Sequence, residues 1–322
     1  MPLRRYTLRR IFSSIVTFFV IATILFFMFR QVASPVGLHI GEGMSPEQVE
    51  QIEESFGIYD PLYIQYFQYL ENIVTADFGQ SFYYGGEVSS IVFTRLINSL
   101  YLTIPSILLA YFLGVLGGVY IGWKRGEIQE RVGLTSALLF RSTPRFWLGL
   151  ILLFFLGGWL FPLTGMLPAG TTFDSRLELF LMPEFYHHLV LPILSMTFYL
   201  MGLPLLLMRT SLFEVMNQEF IDIVRAKGAS EWSVMYKHGA RNALLPVTTA
   251  FGVAIGFSFG GNVLVETVFS YPGVGRLMVD AVFQGDYPIA QYAFLIMAAV
   301  ILLMNLLVDI AYAYLDPRVS HE

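Results

Sequence analysis

The chain alternates between long apolar runs and short polar intervals. Ile11–Phe29 carries no charge over nineteen residues, and Leu96–Trp123 carries none over twenty-eight. Leu189–Met208, Leu244–Val265 and Ile289–Val308 repeat the pattern. Each is close to the ~20 apolar residues that a membrane-crossing helix needs. A further run, third in chain order, is less regular. Phe146–Phe161 is apolar for sixteen residues, and Val132–Phe140 would lengthen it, but Arg141 and Arg145 interrupt. The pattern predicts one long helix from Val132 to Leu160, with its first third projecting from the membrane or facing protein. At ~1.5 Å per residue such a helix exceeds a hydrocarbon core of ~30 Å.

Charge orders the intervals. Arg4, Arg5, Arg9 and Arg10 precede the first run and predict a cytoplasmic N-terminus. Arginines followed by an apolar run also occur in secretory signals. This run is longer than the ~7–15 residues of a signal core, and no small-residue cleavage site follows it. The interval Gln31–Thr94 holds nine acidic residues and no lysine or arginine, so it is expected outside. "KRGEIQER" at Lys124–Arg131 is basic and expected inside, and Trp159–His188 outside. Arg225, Lys227, Lys237 and Arg241 put the next interval inside, Glu266–Pro288 follows outside, and the tail "DPRVSHE" ends inside. The expected fold is an all-α integral membrane protein with six transmembrane helices and cytoplasmic N- and C-termini.

Composition agrees with that class. The 322 residues are 56% hydrophobic and 13% charged, against about 25% charged in soluble domains. The net charge of −5 sums regions of opposite bias and says little by itself. There is no cysteine, which excludes disulfides, thiolate metal sites and a cysteine nucleophile. Ala110, Gly114, Gly118 and Gly122 recur every four residues, as do Gly252, Gly256 and Gly260. Small residues at that interval share one helix face and let a second backbone approach closely. Pro105, Pro192 and Pro204 fall inside apolar runs, where each removes a helix hydrogen bond.

Little in the chain points to catalysis. Gly256–Gly260 reads G-x-S-x-G, but a nucleophile elbow needs a strand-to-helix turn and a base beside Ser258. None of the five histidines lies in an apolar centre. His187 and His188 are helix neighbours that point apart. "PGVGR" at Pro272–Arg276 lacks the third glycine of a dinucleotide loop, and no G-x-x-x-x-G-K occurs. No catalytic residue, metal or cofactor is expected, and any ATP used is bound by another polypeptide. Asp309, just past the last run, and Glu266 are the acids a proton-coupled secondary transporter would use; for Asp309 a paired or wetted interfacial acid is the favoured reading.

The interval from Asn217 is polar and helix-forming, with Gly228 in its middle. In "NQEFIDIVRAK", Phe220, Ile223 and Val224 fall on one helix face. Gly228 is a helix stop, and Ser230 can cap a second short helix with Glu231 in its first turn. Two short helices at an angle, carrying mixed charge, suit docking to a soluble protein. This stretch resembles the cytoplasmic coupling loop of ABC-importer permeases, E-A-A-x-x-x-G, with Asp222 at the Glu position, Ile223 and Val224 at the Ala positions and Gly228 at the Gly. The alanines are absent, and Pro246 lies eighteen residues after Gly228 instead of about thirteen. The longer form, Arg225-Ala226-Lys227-Gly228, then His238, Arg241-Asn242-Ala243-Leu244 and Pro246, is similar to the oligopeptide/dipeptide/nickel branch. "SPEQVEQIEESFGIYDPLYIQYFQYL", "ADFGQSF", "VETVFSYPGVGRLMVDAVFQGDYPIAQ" and "NLLVDIAYAYLDPR" extend the likeness over nearly the whole chain. Arg141 and Arg145 depart from it, standing where uncharged residues are expected around the P-x-F-W element.

The resemblance implies a type I ABC-importer permease fold in the cell membrane and a role in peptide import. Its other branch substrates are nickel, glutathione and oligosaccharide. It implies a second homologous permease, two cytoplasmic ATPase subunits, an external substrate-binding protein and surrounding lipid as partners, and no nucleic acid. The ATPase-coupling residues would be Asp222, Ile223, Val224, Arg225, Ala226, Lys227, Gly228, Ala229 and Ser230. The domain division expected is an N-terminal arm and first span at 1–30, an external region at 31–95, a five-span core at 96–316 with the coupling loop at about 217–245, and a tail at 317–322.

Overall fold

A computed structural model describes residues 3–32, 59–81, 83–258 and 262–315. Much of the expected external loop, Gly260 of the second glycine series and the tail lie outside the described residues. The described chain is all-helical, with isolated bridges in place of strands. In order, the helices are α1 (Leu3–Val32), α2 (Leu62–Thr75), α3 (Val88–Trp123), α4 (Ile128–Ser142), α5 (Arg145–Leu156), α6 (Arg176–Leu181) and α7 (Pro183–Met216). Then come α8 (Glu219–Ala226), a π-helical turn (Ser233–Gly239), α9 (Ala240–Ala243), α10 (Leu245–Ser258), α11 (Val263–Val268), α12 (Val274–Gln284) and α13 (Tyr287–Leu315). Helices win here because hydrocarbon offers no partner for a free N–H or C=O, and a helix satisfies both within one segment.

Among the described residues four helices are long and apolar enough to cross a membrane: α1, α3, α7 and α13. A fifth crossing arises if α4 and α5 form one span. The two are not the single straight helix that hydropathy predicts, for their axes bend by 108°. The cause is Pro144, which has no N–H and pushes Thr143 out of the helical region, to φ −88° and ψ 129°. The Thr143 and Ser142 hydroxyls both donate to the Leu139 carbonyl, at 2.7 and 3.1 Å, and close the frayed end. Of the run expected from Leu244 to Val265, α10 takes Leu245–Ser258 and α11 begins at Val263, and residues 259–261 lie outside the described residues.

The chain forms two compact units, one of residues 1–99 with 272–322 and one of residues 100–271. In the first, α1 lies along α13 through Ala22, Leu25 and Leu295. Tyr66 of α2 joins α1 by a 2.7 Å bond to Thr23 and an edge contact with Phe26. The fully buried Asp286 carboxylate accepts from the Ser81 hydroxyl at 2.5 Å and from the Tyr83 amide at 3.2 Å. Thus the serine of "ADFGQSF" and the aspartate of "QGDYP", 205 residues apart, form one joint. Ser99 Oγ accepts from the Val274 amide at 2.9 Å, and Asn98 donates to the Pro272 carbonyl at 2.9 Å.

The second unit is organised around α7, which keeps Pro192 and Pro204 inside its 34 residues. The glycine stripe of α3 packs against it. A Cβ on Gly114 would come within 2.9 Å of the Met201 carbonyl, and one on Gly118 within 2.6 Å of the Leu205 carbonyl. Gly122 faces the Arg209 carbonyl at 3.3 Å. Helix α4 crosses the same helix with Gly202 beneath it, where a Cβ would sit 2.9 Å from the Ala137 carbonyl. The α3–α4 turn is clamped by Glu130, which accepts from the Gly126 amide at 2.7 Å and from Arg209 Nε at 2.9 Å.

Replacing Gly118 with valine should force α3 and α7 apart and lower stability by about 1–3 kcal/mol, the usual range for overpacking. Thermal unfolding of the purified protein in detergent reads this as an earlier transition. An unchanged midpoint would show that the seam tolerates side chains.

Candidate functional site

Helix α7 ends at Asn217, and α8 follows almost at once. Only eight residues long, α8 ends in a Schellman turn. The Gly228 amide donates to the Arg225 carbonyl at 2.9 Å, and the Ala229 amide reaches the Val224 carbonyl at 3.4 Å. Gly228 takes the left-handed φ of +81° that this turn requires. The Ser230 hydroxyl then accepts from the Ser233 amide at 3.3 Å and starts the second element. That element opens into a π-helical turn and continues through α9.

The underside of this pair is firmly seated. Ile221 and Val234 are fully buried and, with Met235, Ala240 and Ala243, pack against Met208, Leu212 and Val215 of α7. Gly239 is needed at the crossing, because a Cβ there would meet Met216 Sδ at 2.9 Å and the Val234 carbonyl at 3.2 Å. The buried face of α8 differs from the predicted one. Phe220, Ile221 and Val224 turn inward, while Ile223 is 56% exposed. Period alone cannot say which edge of a wide apolar arc a neighbour will cover.

The upper side is exposed and polar. The Asp222 side chain is 82% accessible, and Arg225 lies 3.6 Å from it and 3.5 Å from Glu231, bridging the Gly228 turn. Pairs this exposed contribute little stability. Their effect is to hold charges of both signs around the turn. Nothing lies within 4 Å of where a Gly228 Cβ would stand. Beside the turn, Trp232 is 69% exposed and stacks on Tyr236, with ring centroids 4.2 Å apart. Sequence reasoning missed Trp232; the signal was two aromatics four residues apart, hence on one helix face, in an otherwise charged stretch. Exposed tryptophan next to charge is the residue type that anchors protein interfaces.

Of the predicted site residues, Asp222, Ile223, Arg225, Ala226, Lys227, Gly228 and Ser230 share this exposed surface, while Val224 and Ala229 face the packing beneath. The other candidates are occupied elsewhere. His187 Nε2 contacts the Leu160 carbonyl at 2.9 Å and His188 Nδ1 the Thr164 carbonyl at 3.1 Å, so the two rings serve different loop carbonyls. Asp309 pairs with Arg10 at 3.1 Å, which fits the reading of a paired interfacial acid. Glu266 is buried beside Tyr271, whose hydroxyl is pushed well up, first by burial and then by the glutamate. Among the described residues no group of three or more His, Cys, Asp or Glu could hold a metal.

Comparison with known proteins converges on one family. Residues 114–321 match the family described as binding-protein-dependent transport system inner membrane component. Residues 3–103 match its companion, described as binding-protein-dependent transport system membrane component, N-terminal. The chain is 38% identical to the oligopeptide transport system permease protein AppB of Bacillus subtilis (strain 168), over 98% of this chain and 99% of that one. It is 32% identical to the glutathione transport system permease protein GsiC of Escherichia coli (strain K12), again over 98% and 99%.

Valine at position 228 should cost roughly 1–2 kcal/mol in left-handed strain and no more, since no neighbour crowds the site. The purified Gly228→Val protein should therefore keep its helix content and unfold only slightly earlier. Loss of folded protein would mean the turn supports the bundle and is not simply a surface feature.

Proposed function

The chain belongs to the binding-protein-dependent transport system inner membrane component family, and we propose that it is one of two permeases lining the pathway of an ATP-driven peptide importer. As a permease it is a transport component and not an enzyme. Peptide is the favoured cargo because two relatives of full length are named for an oligopeptide and for glutathione, itself a short peptide. The topology proposed is six spans with both termini cytoplasmic, the α4–α5 pair and the α10–α11 run each counting as one. Two cytoplasmic ATPases and an external binding protein complete the assembly.

One observation carries the coupling assignment: a polar, exposed turn whose underside is locked into α7. Asp222–Ser230 and Trp232 would sit in a cleft of one ATPase. When the ATPases close on ATP, the push passes from Ile221 and Val234 into Leu212 and Met208. Because α7 is interlocked with α3 through Gly114, Gly118 and Gly122, the load moves helices together as a rigid body. The pathway would open outward to receive peptide from the binding protein and return inward after hydrolysis. The bond-breaking chemistry stays on the partner.

Gly228→Val and Trp232→Ala should each leave membrane abundance normal yet reduce both peptide uptake and the amount of copurified ATPase. Trp232→Ala should cost the larger share, about 2 kcal/mol or more of association if it is an interface anchor. Wild-type values for both variants would remove the coupling role. Asp309→Asn should retain uptake, and uptake should persist when the proton gradient is collapsed at constant ATP. Transport that follows the proton gradient would favour a secondary carrier instead.

Topology has a clean test, because the chain has no cysteine of its own. Cysteine in place of the exposed Glu71 should react with an impermeant maleimide in intact cells. Reaction only after lysis would overturn the six-span arrangement.

A further inference from the structure

Arg145 is a cation that the family resemblance does not explain and the coupling surface does not use. It is the first residue of α5, a helix of otherwise apolar residues with no acid in its first turn. A positive charge at a helix N-terminus opposes the helix dipole, so the position disfavours arginine twice, by charge and by medium. Its place along the membrane follows from its neighbour. The guanidinium carbon lies 4.6 Å from the centre of the Tyr199 ring, and Tyr199 is at the middle of the 34-residue α7 and of its uncharged stretch Leu189–Met208. That is the depth at which secondary transporters, another class of carrier, hold their cargo, typically at broken helices. Here the break is the 108° bend between α4 and α5.

Direction follows from the helix face. Arg145 shares its stripe with Gly149, whose Cβ position is 2.9 Å from the Phe269 ring, and with Leu152 and Leu156, which pack in the same core. The opposite stripe, Trp147, Leu150 and Phe154, is exposed, Phe154 to 82%. The charge therefore lies on the side of α5 that packs within this chain and not on the stripe the chain leaves exposed. Tyr199 covers its face, but Nη1 is buried without a hydrogen-bond acceptor. Neither Arg145 nor the nearby Arg141 is in an ion pair among the described residues. An arginine fork with an unused nitrogen, at mid-depth and with no anion of its own, matches a carboxylate.

We propose that Arg145 binds the carboxylate of the peptide in transit, so that passage favours cargo with a free anionic terminus. This rests on the reading of the chain as a peptide permease. Loading would bring the carboxylate to the guanidinium only while the pathway is occupied, and the empty state keeps the charge shielded by Tyr199.

The test uses the complete importer, with both permeases, ATPases and binding protein, in proteoliposomes. The probes are a tripeptide with neutral side chains and its C-terminal amide, each supplied at saturation of the binding protein. The wild type should import the acid faster than the amide. Arg145→Gln should slow the acid roughly tenfold, the factor a lost charge-assisted hydrogen bond carries, and leave the amide nearly unchanged. Arg145→Lys should recover part of the preference. An equal acid-to-amide ratio in wild type and Arg145→Gln would overturn the proposal. So would loss of the second permease from purified Arg145→Gln, which would assign the cation to a carboxylate of that subunit. If the wild type imports neither peptide, the peptide-permease reading itself fails, and the proposal falls with it.

Discussion

A Cβ on Gly118 would lie 2.6 Å from the Leu205 carbonyl, closer than side-chain atoms approach a backbone oxygen. This contact, with those at Gly114 and Gly122, brings α3 and α7 nearly backbone to backbone. In a membrane the hydrophobic effect does little to drive helices together, so close packing of this kind supplies the association. Other features of the larger unit hang on α7. The α3–α4 turn reaches it through Glu130 and Arg209, α4 crosses it at Gly202, and the polar segment after Met216 packs on its end.

The coupling role proposed for the polar segment asks two mechanical jobs of it. The buried side of the polar segment is apolar and close-fitting, built from Ile221, Val234 and Gly239, so a push on the segment would be transmitted and not absorbed. The exposed side is charged and bounded by the Gly228 turn and the Trp232–Tyr236 stack, so it can recognise a partner without altering the packing beneath. The smaller unit adds polar ties, long-range in sequence, to its apolar packing, with Asp286 holding Ser81 and Ser99 holding the Val274 amide.

Much of this was legible from residues alone. The four-residue glycine interval announced the α3 seam, and Gly228 with Ser230 announced a helix stop and a new cap, because both depend on local chemistry. The α4–α5 break shows how a summed property can mislead. Hydropathy is blind to backbone geometry, so the apolar count bridged Pro144, although a residue before proline resists the helical region. The exposure of Ile223 could not be read, since periodicity defines an arc and α7 decides which part of it is covered. Trp232 was visible but looked like one more aromatic in an aromatic-rich chain. The two arginines flanking Pro144 were legible as an anomaly; the contact with Tyr199 gives one of them a depth, and the packing of Gly149, Leu152 and Leu156 gives it a direction.

A partner ATPase that acts on the turn around Gly228, as proposed, must lie within reach of its exposed side chains. The most direct measurement places a photo-activated cross-linking side chain at Ile223, which is exposed beside the turn. Irradiation of membranes containing the whole importer should join this chain to an ATPase subunit, with a yield that changes when ATP is added. Adducts to lipid alone, or to the external binding protein, would show that no ATPase docks at this turn.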